Sequence, residues 1–318
     1  MPRSGLPGLG RLVILTVTLN PALDVSYTVD ALVPHGSHRV RSVTERAGGK
    51  GVNVASVLHR MGVPSLALVL AGGSTGRVLA DDLTVRGLPY EVLTCAGDTR
   101  RTVNVVSSES GDATIFNEPG PSVTPDEIDA VVARVRHQVT AGASVVAVCG
   151  SLPRGAEADA YGQIVRAARM SGAATLVDAE GEPLQVACAA GADVAVPNRT
   201  ELLGATGADE ELSGAKALQE LGVRHVVVSA GRDGLRAYLA DDRTFVARPG
   251  APLRGNPTGA GDAAAAAVAT GLAAGRDWPE ILGDAVAWSG AAVLQPIAGE
   301  VDPADVVRLR AAATVLPA

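Results

Sequence analysis

Residues 256–262 read Asn-Pro-Thr-Gly-Ala-Gly-Asp and run into the alanine-rich stretch 263–269, a pattern that predicts a turn feeding a helix start. Pro257 stops any helix arriving from upstream, Thr258 is a suitable N-cap, and Gly259 and Gly261 leave main-chain N–H groups open to an approaching anion. Together they describe an anion cradle at a helix N-terminus. Asp262, the one acid of the stretch, falls in the first helical turn, placed to accept a proton from a hydroxyl that attacks the cradled anion. Phosphoryl transfer to an alcohol is the chemistry such an arrangement suits. Alone, the same residues also describe a capped helix whose Asp complements the dipole, so the other elements have to decide.

Several further groups could share that chemistry. Gly48-Gly49-Lys50-Gly51-Val52-Asn53 is a second glycine-rich turn opening a helix, with Val54, Val57, Leu58 and Met61 at helical spacing behind it. Lys50 and Asn53 would project from its start as a cation and a neutral hydrogen-bonding group, a pair suited to an anionic polyol. The strand 12–19 ends in Asn20-Pro21-Ala22-Leu23-Asp24, which presents Asp24 near the carboxyl edge where open α/β sheets bind ligands. Arg100 and Arg101 stand side by side at the start of an exposed hairpin and could clamp a phosphate. Asn198 and Glu201, three apart in Pro197-Asn198-Arg199-Thr200-Glu201, share a face and could hold a hydrated Mg²⁺, although the same spacing makes a capping box. The turn 230–234 after strand 225–229 is a candidate nucleotide-contacting loop.

The elements that must position these groups alternate. Strands at 66–70, 144–149, 174–178, 194–196 and 225–229 are interleaved with helices at 77–85, 126–140, 159–170 and 213–221, implying a mostly parallel sheet with right-handed crossovers. Residues 72–76 read as a loop between strand and helix. The segments 26–32 with 37–45, and 99–108 with 113–117, alternate polar and apolar as half-exposed hairpins. A further hairpin spans 235–247, and the apolar helix 278–295 can cover the sheet.

Composition narrows the class. The chain has 318 residues, is 47% hydrophobic and carries a formal charge of −7. One large core is therefore within reach, while neither a nucleic-acid groove nor a membrane-surface patch is indicated. Among 27 basic residues only Lys50 and Lys216 are lysines. Cys95, Cys149 and Cys188 give no disulfide or metal spacing and fit a reducing cytoplasm. Residues 1–11 form an N-terminal extension expected to be disordered.

Taken in order, N-P-A-L-D (20–24), G-G-K-G-V-N (48–53), G-S-L-P-R-G (150–155), P-N-R-T-E (197–201), S-A-G-R-D-G (229–234) and N-P-T-G-A-G-D (256–262) resemble the ribokinase-like (PfkB) carbohydrate kinases. Within them the resemblance is to the phosphosugar branch that includes bacterial 1-phosphofructokinases and tagatose-6-phosphate kinases. It implies an α/β fold with a central, mostly parallel sheet flanked by helices and a small β-sheet lid, the lid formed by about 24–46 and 98–118 of one kinase domain spanning 12–318. It implies Asp262 as catalytic base and the N–H groups of Gly259, Ala260 and Gly261 as anion hole. Asp24, Gly49, Lys50 and Asn53 would hold a sugar phosphate, with Arg100 or Arg101 on its existing phosphate. Asn198, Ser229, Gly231, Gly259 and Gly261 would contact ATP, and Glu201 with Asn198 would hold Mg²⁺ through water.

The implied activity is ATP-dependent phosphorylation of a ketohexose monophosphate, first fructose 1-phosphate, with tagatose 6-phosphate and fructose 6-phosphate as alternatives. The exposed lid edges are where a homodimer contact would form. Two positions depart from the family pattern: Thr102 stands where an asparagine is usual, and Val196 where a lysine is. A non-catalytic sugar-phosphate sensor would not need Asp262, and a dinucleotide oxidoreductase would need a G-x-G-x-x-G that does not follow the first strand. No Walker A sequence is present.

Overall fold

The computed structural model describes residues 13–318, so the expectation for residues 1–11 lies outside the described residues. The aliphatic run of β1 (Val13–Thr18) is buried from Ile14 onward, as a strand covered on both faces must be. It is followed by β2 (Ala22–Val29), β3 (Ser42–Gly48), α1 (Lys50–Arg60), β4 (Ser65–Ala71), α2 (Gly73–Val85) and β5 (Tyr90–Thr94). The strands β6 (Arg100–Ser107) and β7 (Ala113–Asn117) lead to α3 (Pro125–Thr140), β8 (Ala143–Cys149), α4 (Ala160–Met170), β9 (Ala174–Asp178) and α5 (Gly181–Ala189). Then come β10 (Val194–Ala195), α6 (Arg199–Thr206), α7 (Glu211–Leu221) and β11 (His225–Ser229). The described chain closes with β12 (Leu235–Tyr238), β13 (Thr244–Arg248), α8 (Ala260–Ala274), α9 (Trp278–Val293), α10 (Pro303–Ala312) and β14 (Thr314–Pro317).

Ten of these strands form one sheet in the order β14-β13-β12-β11-β10-β9-β8-β1-β4-β5. From β5 to β11 the pairing is parallel, and β12, β13 and β14 extend the edge antiparallel. One face is covered by α3 to α7 through residues such as Val135, Ile164, Leu184 and Leu202. The other is covered by α1, α8, α9 and α10 through Val57, Val268, Leu282 and Leu309. The second sheet, β3-β2-β6-β7, contains the sequence-predicted lid segments; β2 pairs antiparallel with β3 and parallel with β6.

Local sequence explains how tightly α1 and α8 approach the sheet. Every residue from Ala263 to Ala269 is at most 2% exposed, so α8 is buried all round. Its small side chains permit close helix packing: a Cβ on Gly271 would run into Ile281 of α9. Gly51, in the first turn of α1, lies so close to β1 that a Cβ would collide with Thr18 Oγ1. These two contacts set where Lys50 and Asp262 emerge above the sheet.

Some expectations shift. The glycine-rich residues 73–76 are already helical, because Asp98 accepts the Ser74 N–H (2.8 Å) and Thr99 Oγ1 accepts the Gly72 N–H (3.0 Å). Those caps come from a distant segment and leave no local trace. The second strand of the first hairpin is 42–48 instead of 37–45. Thr258 does not cap α8; Gly259 is the N-cap at φ 84°, while the Thr258 N–H donates to Asn256 Oδ1 (3.0 Å).

Packing at Gly51 yields a paired prediction. Gly51→Ala is expected to destabilise the protein by about 1–3 kcal/mol through overpacking against β1. Gly204→Ala, in α6 where an added Cβ meets nothing within 4 Å, should stabilise by up to about 1 kcal/mol through helix propensity. Urea unfolding of both variants checks the sign of each; equal effects would contradict the packing argument.

Candidate active site

Above the carboxyl ends of β9, β10 and β11 lies a cavity of about 980 Å³, at the edge where open α/β sheets bind ligands. Its lining brings together Asp24, Gly49, Lys50, Asn53, Arg100, Asn198, Glu201, Ser229, Gly231 and residues 259–262. Residues from opposite ends of the chain therefore meet in one space. Arg101 is not among them: it turns to the outer side of the lid, where its guanidinium pairs with Glu118 (3.0 Å) and is 56% exposed. Alternation along β6 sends neighbouring side chains to opposite faces, so only Arg100 faces inward.

Asp262 sits in the first turn of α8 and is only 6% exposed. Asn53 Nδ2 donates to its Oδ2 at 2.8 Å, tying the start of α8 to the start of α1. Burial, with the charge of Asp178 adding to it, pushes the Asp262 carboxyl up to about 7 against the opposing Asn53 hydrogen bond and Lys50. The Gly259 backbone has a positive φ of 84°, and a Cβ there would clash with Ala298, so glycine is required twice over. The Ala260 N–H is turned to Pro257 O (3.2 Å). That commits one of the three expected donors and leaves Gly259 and Gly261 as the open face of the cradle. A Cβ added at Gly261 would meet nothing within 4 Å; the space there is the cavity itself.

Sequence reasoning missed Asp178, the last residue of β9. Its signal was an acid at the carboxyl end of a parallel strand, the logic that singled out Asp24. Lys50 Nζ donates to Asp178 Oδ1 (2.9 Å) and to Glu201 Oε1 (3.1 Å). Burial alone would lower the lysine, but the two carboxylates outweigh it and hold its pKa above the ordinary value. Asp178 is itself raised, chiefly by burial, with Lys50 opposing. The capping box is also made: Asn198 Oδ1 accepts the Glu201 N–H and Glu201 Oε2 accepts the Asn198 N–H, each at 2.8 Å. One Glu201 oxygen caps α6 while the other accepts from Lys50.

Asp24 lies on β2 between Arg46 of β3 and Thr102 of β6. A Cβ on Gly48 would strike its carboxylate, which gives the first glycine of the G-G-K-G turn a reason. Burial raises Asp24 to about 6 against the Thr102 hydrogen bond and the charges of Arg100 and Arg46. Arg100 donates to Thr102 Oγ1 (3.3 Å), so Thr102 links the arginine to Asp24. The glycine turn 150–155 is held by Asn20 Nδ2 donating to Ser151 Oγ (3.1 Å) and by the Tyr161 hydroxyl donating to Gly150 O (3.0 Å). Among the described residues no cluster of three or more His, Cys, Asp or Glu could hold a metal, and no helix is long and apolar enough to cross a membrane.

An open sheet with a lidded carboxyl edge, a glycine cradle and a buried carboxylate define a phosphoryl-transfer scaffold, and comparison places it. The pfkB family carbohydrate kinase profile matches residues 17–305, and the chain belongs to that family. It is 36% identical to a 1-phosphofructokinase of Xanthomonas campestris pv. campestris over 268 residues, 81% of this chain and 83% of that one. It is 36% identical to the ATP-dependent 6-phosphofructokinase isozyme 2 of Mycobacterium tuberculosis over 296 residues, 90% of this chain and 85% of that one. The structure of phosphofructokinase-2 from Escherichia coli in complex with fructose-6-phosphate superposes with a TM-score of 0.86 at 28% identity, covering 94% of this chain and 98% of that one.

The raised Asp262 pKa has a consequence for stability. Its folded value near 7 exceeds the ordinary 3.8. The native state therefore binds more protons between those values, and stability falls as pH rises through that window. The cost is complete above about pH 7 and absent below about pH 4. Asp262→Asn is accordingly expected to be more stable than the parent at pH 8 by roughly 2–4 kcal/mol, converging near pH 4. Denaturant titrations at the two pH values decide; a pH-independent difference would contradict the assigned shift.

Proposed function

We propose that this chain is an ATP- and Mg²⁺-dependent kinase that adds a second phosphate to a ketohexose monophosphate. The first reading is D-fructose 1-phosphate, phosphorylated at O6 to fructose 1,6-bisphosphate. The second, supported by the 6-phosphofructokinase relative, is phosphorylation of fructose 6-phosphate or tagatose 6-phosphate at O1. The observation that carries the proposal is Asp262, buried beside a glycine cradle and aligned by Asn53, in a cavity whose lid end carries Arg100.

In this reading Arg100 grips the phosphate already on the sugar, supported from behind by Thr102, while Asp24, Gly49 and Asn53 meet the sugar hydroxyls. The acceptor hydroxyl loses its proton to Asp262 as its oxygen forms the new bond to the terminal phosphorus of ATP and the bond to ADP breaks. The N–H groups of Gly259 and Gly261 stabilise the charge on the migrating phosphoryl. Ser229, Gly231 and Asn198 line the nucleotide side. Closure of the β lid would exclude water, which would otherwise compete as acceptor.

Asp178 and Glu201 converge on one ammonium in this structure, and that pair of hard oxygen donors fits a small divalent cation. Glu201, with Asn198 through water, and Asp178 would hold Mg²⁺, which when bound neutralises charge on the ATP phosphates. Val43 and Phe116 are each more than half exposed on the face of the lid turned away from the cavity and support a homodimer contact there. Sedimentation velocity of Phe116→Lys should show a shift toward monomer; an unchanged parent-like assembly would remove the lid from that contact.

The decisive assay couples ADP release to fructose 1-phosphate, fructose 6-phosphate, tagatose 6-phosphate and unphosphorylated fructose. Turnover is expected with a phosphosugar, and Asp262→Asn should lower kcat by on the order of 10³-fold or more while phosphosugar binding persists. Arg100→Ala should raise the KM for the phosphosugar far more than that for ATP. Turnover of free fructose in preference to all three phosphates would overturn the substrate class.

A further inference from the structure

Four cations line the cavity: Lys50, Arg100, Arg232 and Arg254. The first two are committed, Lys50 to Asp178 and Glu201 and Arg100 to the lid beside Asp24 and Thr102. Arg232 and Arg254 are exposed, and neither guanidinium makes an ion pair with another described residue, whereas nearby Arg236 is engaged by Glu211 at 3.1 Å. They belong to the end of the cavity away from the lid, where Leu235, Leu253, Val286 and Val293 form an apolar wall. A flat heteroaromatic base suits that wall; a ketose phosphate does not.

Both arginines are carried on turns with little freedom. Arg254 precedes Gly255, whose Cβ position is filled by Val293 O. The next residue, Asn256, donates its N–H to Val293 O (2.9 Å) and its side-chain amide to Pro296 O (3.0 Å). The loop is thereby clamped to the end of α9, just ahead of the Gly259 cradle. Arg232 sits in the turn 231–233, closed by the Asp233 N–H to Ala230 O (3.1 Å) and the Ala230 N–H to Gly234 O (2.9 Å). Val196, 5% exposed, also lines the cavity, an aliphatic side chain with no charge to offer a polyphosphate. On the nucleotide side, the cavity's cationic charge therefore resides in Arg232 and Arg254.

We propose that Arg232 and Arg254 form the cationic clamp for the phosphate chain of the nucleotide, doing from the rim what Val196 cannot do from the wall. The inference rests on the kinase reading and assigns the nucleotide end of the same site. A planar guanidinium on each side of the chain gives paired N–H donors to phosphate oxygens and a preference for tri- and diphosphates over the bare nucleoside.

The test is calorimetric titration of the full-length protein and of Arg232→Ala/Arg254→Ala with ATP, ADP and adenosine. The double variant is expected to lose about tenfold or more in ATP affinity, with a smaller loss for ADP and none for adenosine. Steady-state kinetics should show the KM for ATP rising and the phosphosugar KM unmoved. Unchanged ATP affinity overturns the clamp, as does an equal loss for ATP and adenosine, which would assign the arginines to the base wall. Both side chains are exposed, so the thermal midpoint should stay at the parent value and separate a lost contact from a lost fold. Because binding is read without turnover, failure of the clamp and failure of the kinase reading are distinguishable.

Discussion

The hydrogen bond from Asn53 to Asp262 is the contact on which the arrangement of the cavity depends. It joins the first turns of two helices that arrive from opposite ends of the chain, and it fixes a carboxylate that is almost wholly removed from water. Burying an ionisable acid is costly, and the raised pKa of Asp262, which the Asn53 hydrogen bond and Lys50 only partly offset, is that cost expressed as proton affinity. A base poised near neutral pH is well matched to taking a proton from a sugar hydroxyl. The alanines of α8, Gly271 where α9 packs on it and Gly51 where α1 packs on β1 are what hold the carboxylate there.

Around that contact the charges are segregated. Lys50 is held by Asp178 and Glu201 on the floor, Arg100 is linked through Thr102 with Asp24 at the lid, and Arg232 and Arg254 at the far rim make no ion pair with another described residue. The cavity lining thus balances four acids with four bases while keeping them in different places. Such a cleft presents no uniform field; its charges stand at separate positions along it. The Thr102 departure from the family pattern finds a physical account in this scheme, because its hydroxyl bridges the lid arginine to Asp24.

Much of this was legible in the sequence. The cradle 256–262, the turn 48–53 and the alternation of strands and helices each carry a local signal that tertiary structure only had to assemble. Asp24, Gly49, Lys50, Asn53, Asn198, Ser229 and Gly231 were picked out because glycine turns, strand ends and helix starts have fixed chemistry, and the structure brings them to one cavity. What was hidden depended on partners remote in sequence. The start of α2 is stabilised by Asp98 and Thr99, so its glycines read as loop. Asp178 ends an ordinary buried strand and becomes notable only when Lys50 arrives above it. Arg101 was indistinguishable from Arg100 until the face of β6 was known, and Thr258 gave up the cap because Gly259 packs on Ala298. Each of these is a long-range constraint overriding a sound local preference.

The central claim is that Asp262 is a buried carboxyl whose proton affinity is tuned toward neutrality. An NMR titration of the protein carrying ¹³C-labelled aspartate carboxyls, with Asp262 assigned by comparison with Asp262→Asn, measures it directly. This resonance is expected to titrate close to pH 7. A midpoint near the ordinary carboxylate value of 3.8 would contradict it.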